Sequence, residues 1–117
     1  MFKPPVFSTL LLVGLAACAT GGMTAGESVT RLERQQKSSP TSAAVNRSLG
    51  IAYYKANRYP EARSALETAT KIDPKDGTPA LYLGLSAEEL GDLPAATRAY
   101  STYIHYGRTT RVRHQLQ

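Results

Sequence analysis

Beyond the first forty residues, apolar positions recur at helical rather than strand spacing. Val45, Leu49, Ala52 and Tyr53 fall on one face of a helix, and Ala62, Ala65, Leu66 and Ala69 fall on one face of another. The breaks Ala56-Asn57-Arg58 and Leu90-Gly91-Asp92 each run into a proline, Pro60 and Pro94, a residue suited to a first helical turn. Asp73-Pro74 and Gly77 punctuate the chain between those two helix pairs. The pattern predicts helices near 43–56, 60–71, 78–90 and 94–106, and hence an all-α fold.

The same stretch aligns with itself when the chain is written in rows of about 34 residues. Leu49-Gly50 falls over Leu83-Gly84, Pro60 over Pro94, Ala62 over Ala96 and Leu66 over Tyr100. Gly50 within a helix costs about 1 kcal/mol relative to Ala, so a close approach of two helices is the reason to expect it. Gly50 and Ala62 are the positions where the first pair should come closest.

This period and these residues resemble the tetratricopeptide repeat. Leu49, Gly50, Tyr53, Ala62, Leu66, Ala69 and Pro74 match the family pattern in a first copy, 43–76, with Asn46 where the family often has Trp. The second copy, 77–110, keeps Leu83, Gly84, Ala96 and Tyr100. It departs at Ala87, Tyr103 and Arg108, where the family has Tyr, Ala and Pro. The resemblance implies antiparallel helix pairs stacked as a short solenoid over 43–117, with 111–117 as a cap or the start of a third pair. Val112 and Leu116 sit four apart there, as in an apolar stripe. Such arrays bury each pair against the next and end in a polar cap. The expectation is therefore that Tyr100, Tyr103 and Ile104 need cover from a longer chain, from self-association or from a partner.

The N-terminus is organised differently. Lys3 precedes a mostly apolar run, Val6 to Leu15, followed by the small residues Ala16, Ala17 and Ala19 around Cys18. That is the plan of a secretory signal peptide, and the run is shorter than the roughly 20 residues of a membrane-spanning helix. Leu15-Ala16-Ala17-Cys18 resembles the bacterial lipobox. The resemblance implies a signal peptide over 1–17 and a diacylglyceryl group on Cys18, leaving that residue as an acylated, palmitate-bearing N-terminus. Ordinary cleavage is the alternative, because Ala17-Cys18-Ala19 also fits a signal-peptidase site. Two or more acyl chains make a stable anchor. Ala19 is not the Asp of inner-membrane retention, so in a cell with two membranes the expected location is the periplasmic face of the outer one. Residues 18–42, with Gly21-Gly22, Gly26 and Ser38-Ser39-Pro40-Thr41-Ser42, read as a flexible tether. Such a coil spans on the order of 25–30 Å. Within it, Val29 to Lys37 offers a helical turn or two with few apolar residues to dock.

Composition changes this picture little. With 42% apolar and 20% charged residues, the 117-residue chain has the make-up of a small soluble domain. Cys18 is the sole cysteine, so no internal disulfide is available and the fold rests on packing. The net charge of +5 is concentrated late: from Leu93 onward there are Arg98, Arg108, Arg111 and Arg113 and no acid. That is a solvated helix face, or else a patch for acidic partners. Nucleic acid is not an expected partner of an exported protein. His105 and His114 have no nucleophile, carboxylate triad or metal-ligand cluster at a working spacing, and no glycine-rich phosphate loop is present. No catalysis, metal or cofactor is expected.

The function implied by the resemblance is a membrane-anchored, non-catalytic module that binds a protein or peptide in the bacterial envelope. The family's inward positions carry over to Arg47, Ile51, Tyr54 and Lys55 in the first copy and to Leu81, Leu85, Glu88 and Glu89 in the second. This groove would be apolar in the middle, basic on one side and acidic on the other. Ile51 replaces the Asn of the family's carboxylate clamp. An extended or helical peptide over Ile51, Tyr54, Leu81 and Leu85 is the expected ligand, unless these residues serve neighbouring helices instead. Two other roles fit: the N-terminal arm of a larger envelope protein or oligomer, and an accessory activator of a cell-wall enzyme.

Overall fold

In the computed structural model, residues 22–115 are described, with side chains to Gly107. Among these residues five helices follow one another: α1 (Ala25–Ser38), α2 (Ala43–Lys55), α3 (Tyr59–Ile72), α4 (Thr78–Glu89) and α5 (Leu93–Gln115). The four expected helices lie within a residue or so of their expected bounds, except that the last continues to Gln115. The chain does not break at Arg111. Residues 111–115 therefore extend α5 and do not open a third pair.

The larger correction is α1. The stretch read as a flexible tether holds a 14-residue helix. Thr24 starts it with a capping box: its hydroxyl accepts from the Glu27 amide at 3.2 Å, while the Glu27 carboxylate accepts from the Thr24 amide at 2.8 Å. Val29 and Leu32 are buried against α2, in the same core cluster as Leu49, Tyr53 and Leu66. α1, α3 and α5 begin at 25, 59 and 93, one repeat of 34 apart each time. α1 is thus the second helix of a preceding repeat, followed by two complete pairs.

Helix order then sets the packing. α2 lies against α3, α4 against α5, α3 against α4 and α1 against α2. The glycines set the spacing within pairs. A methyl group on Gly50 would come within 2.5 Å of the Leu66 side chain, and one on Gly84 within 2.5 Å of the Tyr100 ring. The closest approach at Gly50 is therefore to Leu66; Ala62, one turn earlier on α3, is fully buried. Within each pair the turn passes through a left-handed residue, Asn57 (φ 61°) and Gly91 (φ 76°), again one repeat apart.

Asn46, at the position of the family's Trp, is completely buried and fully bonded. Its side chain accepts from Gln36 Nε2 at 2.8 Å and donates to the carbonyls of Pro40 at 3.0 Å and Ser42 at 2.9 Å. A polar residue thus ties α1 and its connecting turn to α2.

Candidate partner-binding surface

Charged and aromatic side chains stitch the helices together before any are left for a partner. Arg47 on α2 bonds Asp76, in the loop before α4, at 2.6 Å. Burial pushes the Asp76 pKa up, but the Thr78 amide and the Arg47 guanidinium outweigh it and hold the carboxyl below its ordinary value. Tyr53 donates to Glu33 of α1 at 2.6 Å, and Arg58 lies 4.7 Å from the Tyr53 ring centre. Burial, and then the Glu33 carboxylate, raise the Tyr53 hydroxyl to about 12.

Of the eight expected groove residues, the structure places several in such contacts. Tyr54 is half-buried between the rings of Tyr59 and Tyr82, at centroid distances of 5.7 and 5.6 Å. Glu88 is exposed and lies near the Tyr100 hydroxyl of α5, which burial and then this carboxylate raise to about 12. Ile51, Leu81 and Leu85 are half-buried and keep apolar surface open. Lys55 and Glu89 are exposed. Ile51 and Lys55 are brought together with residues that sequence reasoning did not select: a groove of about 470 Å³ between α1 and α2 is lined by both, with Met23, Arg31, Leu32 and Ser48 among its other walls. The missed signal was Thr24-x-x-Glu27 ahead of Val29 and Leu32, a helix start followed by an i, i+3 apolar pair.

A smaller groove of about 200 Å³ lies between α3 and α5, with Arg63 and Glu67 on its rim. There Arg63 is already paired with Glu67 and with Asp92, both at 3.2 Å. Among the described residues, no group of three His, Cys, Asp or Glu could hold a metal ion. No described helix is long and apolar enough to cross a membrane.

The family Tetratricopeptide repeat matches residues 47–108, more than half of the chain. The protein belongs to the tetratricopeptide repeat family. Solved structures with the same fold include MamA MSR-1 (TM-score 0.67, 20% identity) and MamA AMB-1 (TM-score 0.66, 21% identity). They cover 74% and 70% of this chain, which spans 49% and 48% of theirs, about half their length. No curated protein matches the sequence. Tetratricopeptide repeat folds are generally non-catalytic scaffolds whose helical surfaces bind other proteins. The expected signal peptide and the expected acylation site, Cys18, lie outside the described residues.

Proposed function

We propose that this protein is a lipid-anchored scaffold of the bacterial envelope that binds a protein partner along its first-helix face. The observation that carries the binding role is the repeat array itself, whose first helices α2 and α4 keep Ile51, Leu81 and Leu85 half-open while their opposite faces are closed by α3 and α5. The anchor is supported by Leu15-Ala16-Ala17-Cys18 below an apolar run. Acylated Cys18 would hold the module on the periplasmic face of the outer membrane in a cell that has one. The region after Cys18 then offers only a short lead to α1, so the array would stand close to the lipid surface.

Two experiments test this reading. Cells fed radiolabelled palmitate should label the wild type and leave Cys18→Ser unlabelled; equal labelling removes the anchor. A pull-down from detergent-solubilised envelope should recover a partner that Leu85→Ser releases and that the exposed α3 variant Lys71→Ala retains. If no partner is recovered, or if both variants retain it equally, the first-helix face is not the binding surface.

A further inference from the structure

The groove between α1 and α2 has the two walls that the rest of the array uses to hold a first helix. On α1, Ser28, Arg31 and Leu32 line it. They lie one repeat before Ala62, Ala65 and Leu66, the buried α3 residues that pack on α2. On α2, Ser48, Ile51, Ala52 and Lys55 line it. They lie one repeat before Tyr82, Leu85, Ser86 and Glu89 on α4. Tyr82 meets the preceding first helix through the Tyr54 ring, and Ser86 is fully buried. The groove is thus the seat of a first helix, and among the described residues no helix occupies it.

Its charges select what can sit there. Arg31 and Lys55 are exposed and make no ion pair among the described residues, whereas Arg47, Arg58 and Arg63 all do. The floor between them is apolar through Leu32, Ile51 and Ala52, with the exposed Met23 at its edge. We propose that this seat takes one amphipathic helix from a partner protein, its apolar stripe on Leu32 and Ile51 and its acidic flanks against Arg31 and Lys55. This deepens the scaffold reading and rests on it, by naming the class of partner and where it docks. An apolar face supplies the burial, while unpaired cations at the rim steer an acidic sequence in and reject a basic one.

The test uses the chain as purified from the envelope and held in lipid nanodiscs. The probe is a synthetic 16-residue helix-forming peptide with an apolar stripe at the repeat's first-helix spacing and four flanking glutamates. Its fluorescence anisotropy should report binding that salt weakens. Arg31→Glu with Lys55→Glu should weaken that binding roughly tenfold, as two reversed rim contacts would. The same double variant should gain affinity for the counterpart peptide with four lysines. Both positions are exposed, so circular dichroism should show the fold unchanged. Equal binding of the two peptides, or no exchange of preference in the double variant, overturns the proposal.

Two other occupants would also overturn it. A concentration-dependent mass that Ile51→Asp abolishes would assign the seat to a second copy of the chain. Leu15-Ala16 and Ala19 stand one repeat before Leu49-Gly50 and Tyr53. Peptide binding that the uncleaved 117-residue chain lacks and a chain beginning at Gly22 shows would therefore assign the seat to the chain itself. A partner recovered from the envelope that ignores the Arg31 and Lys55 reversals but is released by Leu85→Ser would leave the scaffold function standing and refute this docking site alone.

Discussion

Gly50→Ala should destabilise the fold even though alanine is the better helix former. In an exposed helix the substitution would contribute about 1 kcal/mol of stability. Here the new methyl group would lie 2.5 Å from Leu66 Cγ, 2.6 Å from Leu66 Cδ2 and 3.2 Å from the Leu66 backbone nitrogen. Leu66 is fully buried and has nowhere to retreat, so either α2 and α3 separate or the leucine leaves its rotamer. Overpacking of this kind costs about 1–3 kcal/mol, which offsets the propensity gain and leaves a net loss of up to about 2 kcal/mol. Gly26→Ala is the control of opposite sign. That glycine has nothing within 4 Å, so its replacement should stabilise α1 by roughly 0.5 kcal/mol. For a domain of this size, each kcal/mol moves the thermal midpoint by about 4–8 °C. Thermal unfolding followed by circular dichroism should lower the midpoint for Gly50→Ala and raise it slightly for Gly26→Ala. Equal or same-sign shifts would show that Gly50 is not a contact glycine.

Asn46→Ala should cost about 1–3 kcal/mol, because it strands Gln36 and the Pro40 carbonyl in the joint between α1 and α2, while the Ser42 carbonyl keeps its backbone bond. A urea midpoint within error of wild type would contradict that. Ser86→Ala should be neutral or stabilising by up to about 1 kcal/mol, since its hydroxyl is buried with no hydrogen-bond partner among the described groups; a clear loss would mean the hydroxyl is bonded. Asp76 has a folded pKa held below its unfolded value. Its stabilising contribution is therefore full above the unfolded carboxylate range and is lost as pH falls through the folded pKa. Urea titrations between pH 7 and pH 3 should show a smaller pH dependence for Asp76→Asn than for the wild type, and an unchanged dependence would argue against the pairing with Arg47.

The four helices of the two complete pairs were legible because their buried positions are apolar and periodic. Leu49, Ala62, Leu66 and Ala69 mark faces that any helix would bury, and the glycines repeat at one interval. The surface was less legible, because family positions specify where a side chain projects and not what it meets. Tyr54 projects from α2 as expected, yet Tyr59 and Tyr82 take up its ring. Glu88 lies near the Tyr100 hydroxyl and helps to raise its pKa. Tyr100 occupies the register of Leu66 and brings a hydroxyl that Leu66 lacks, so the contact arises from the second copy's own departure and not from the family pattern.

α1 escaped the apolar pattern for a different reason. Its buried hydrophobic contribution is only Val29 and Leu32, and the remaining ties to α2 are polar: Gln36 to Asn46 and Glu33 to Tyr53. Neither partner of such a pair stands out in a hydropathy pattern, since each is ordinary for an exposed helix until the other is placed opposite. Register could have revealed the helix where hydropathy could not. Leu32, Leu66 and Tyr100 stand at one interval, and Thr24 begins α1 one repeat before Arg58 begins α3. The same register explains why the outer face of α1 is polar. Ser28, Arg31 and Gln35 replace Ala62, Ala65 and Ala69, the small residues that let α3 close tightly on α2. Arginine at that position adds to the seat a charge that α3, with Ala65 there, does not carry. What the face can accept is a helix that brings carboxylates to it.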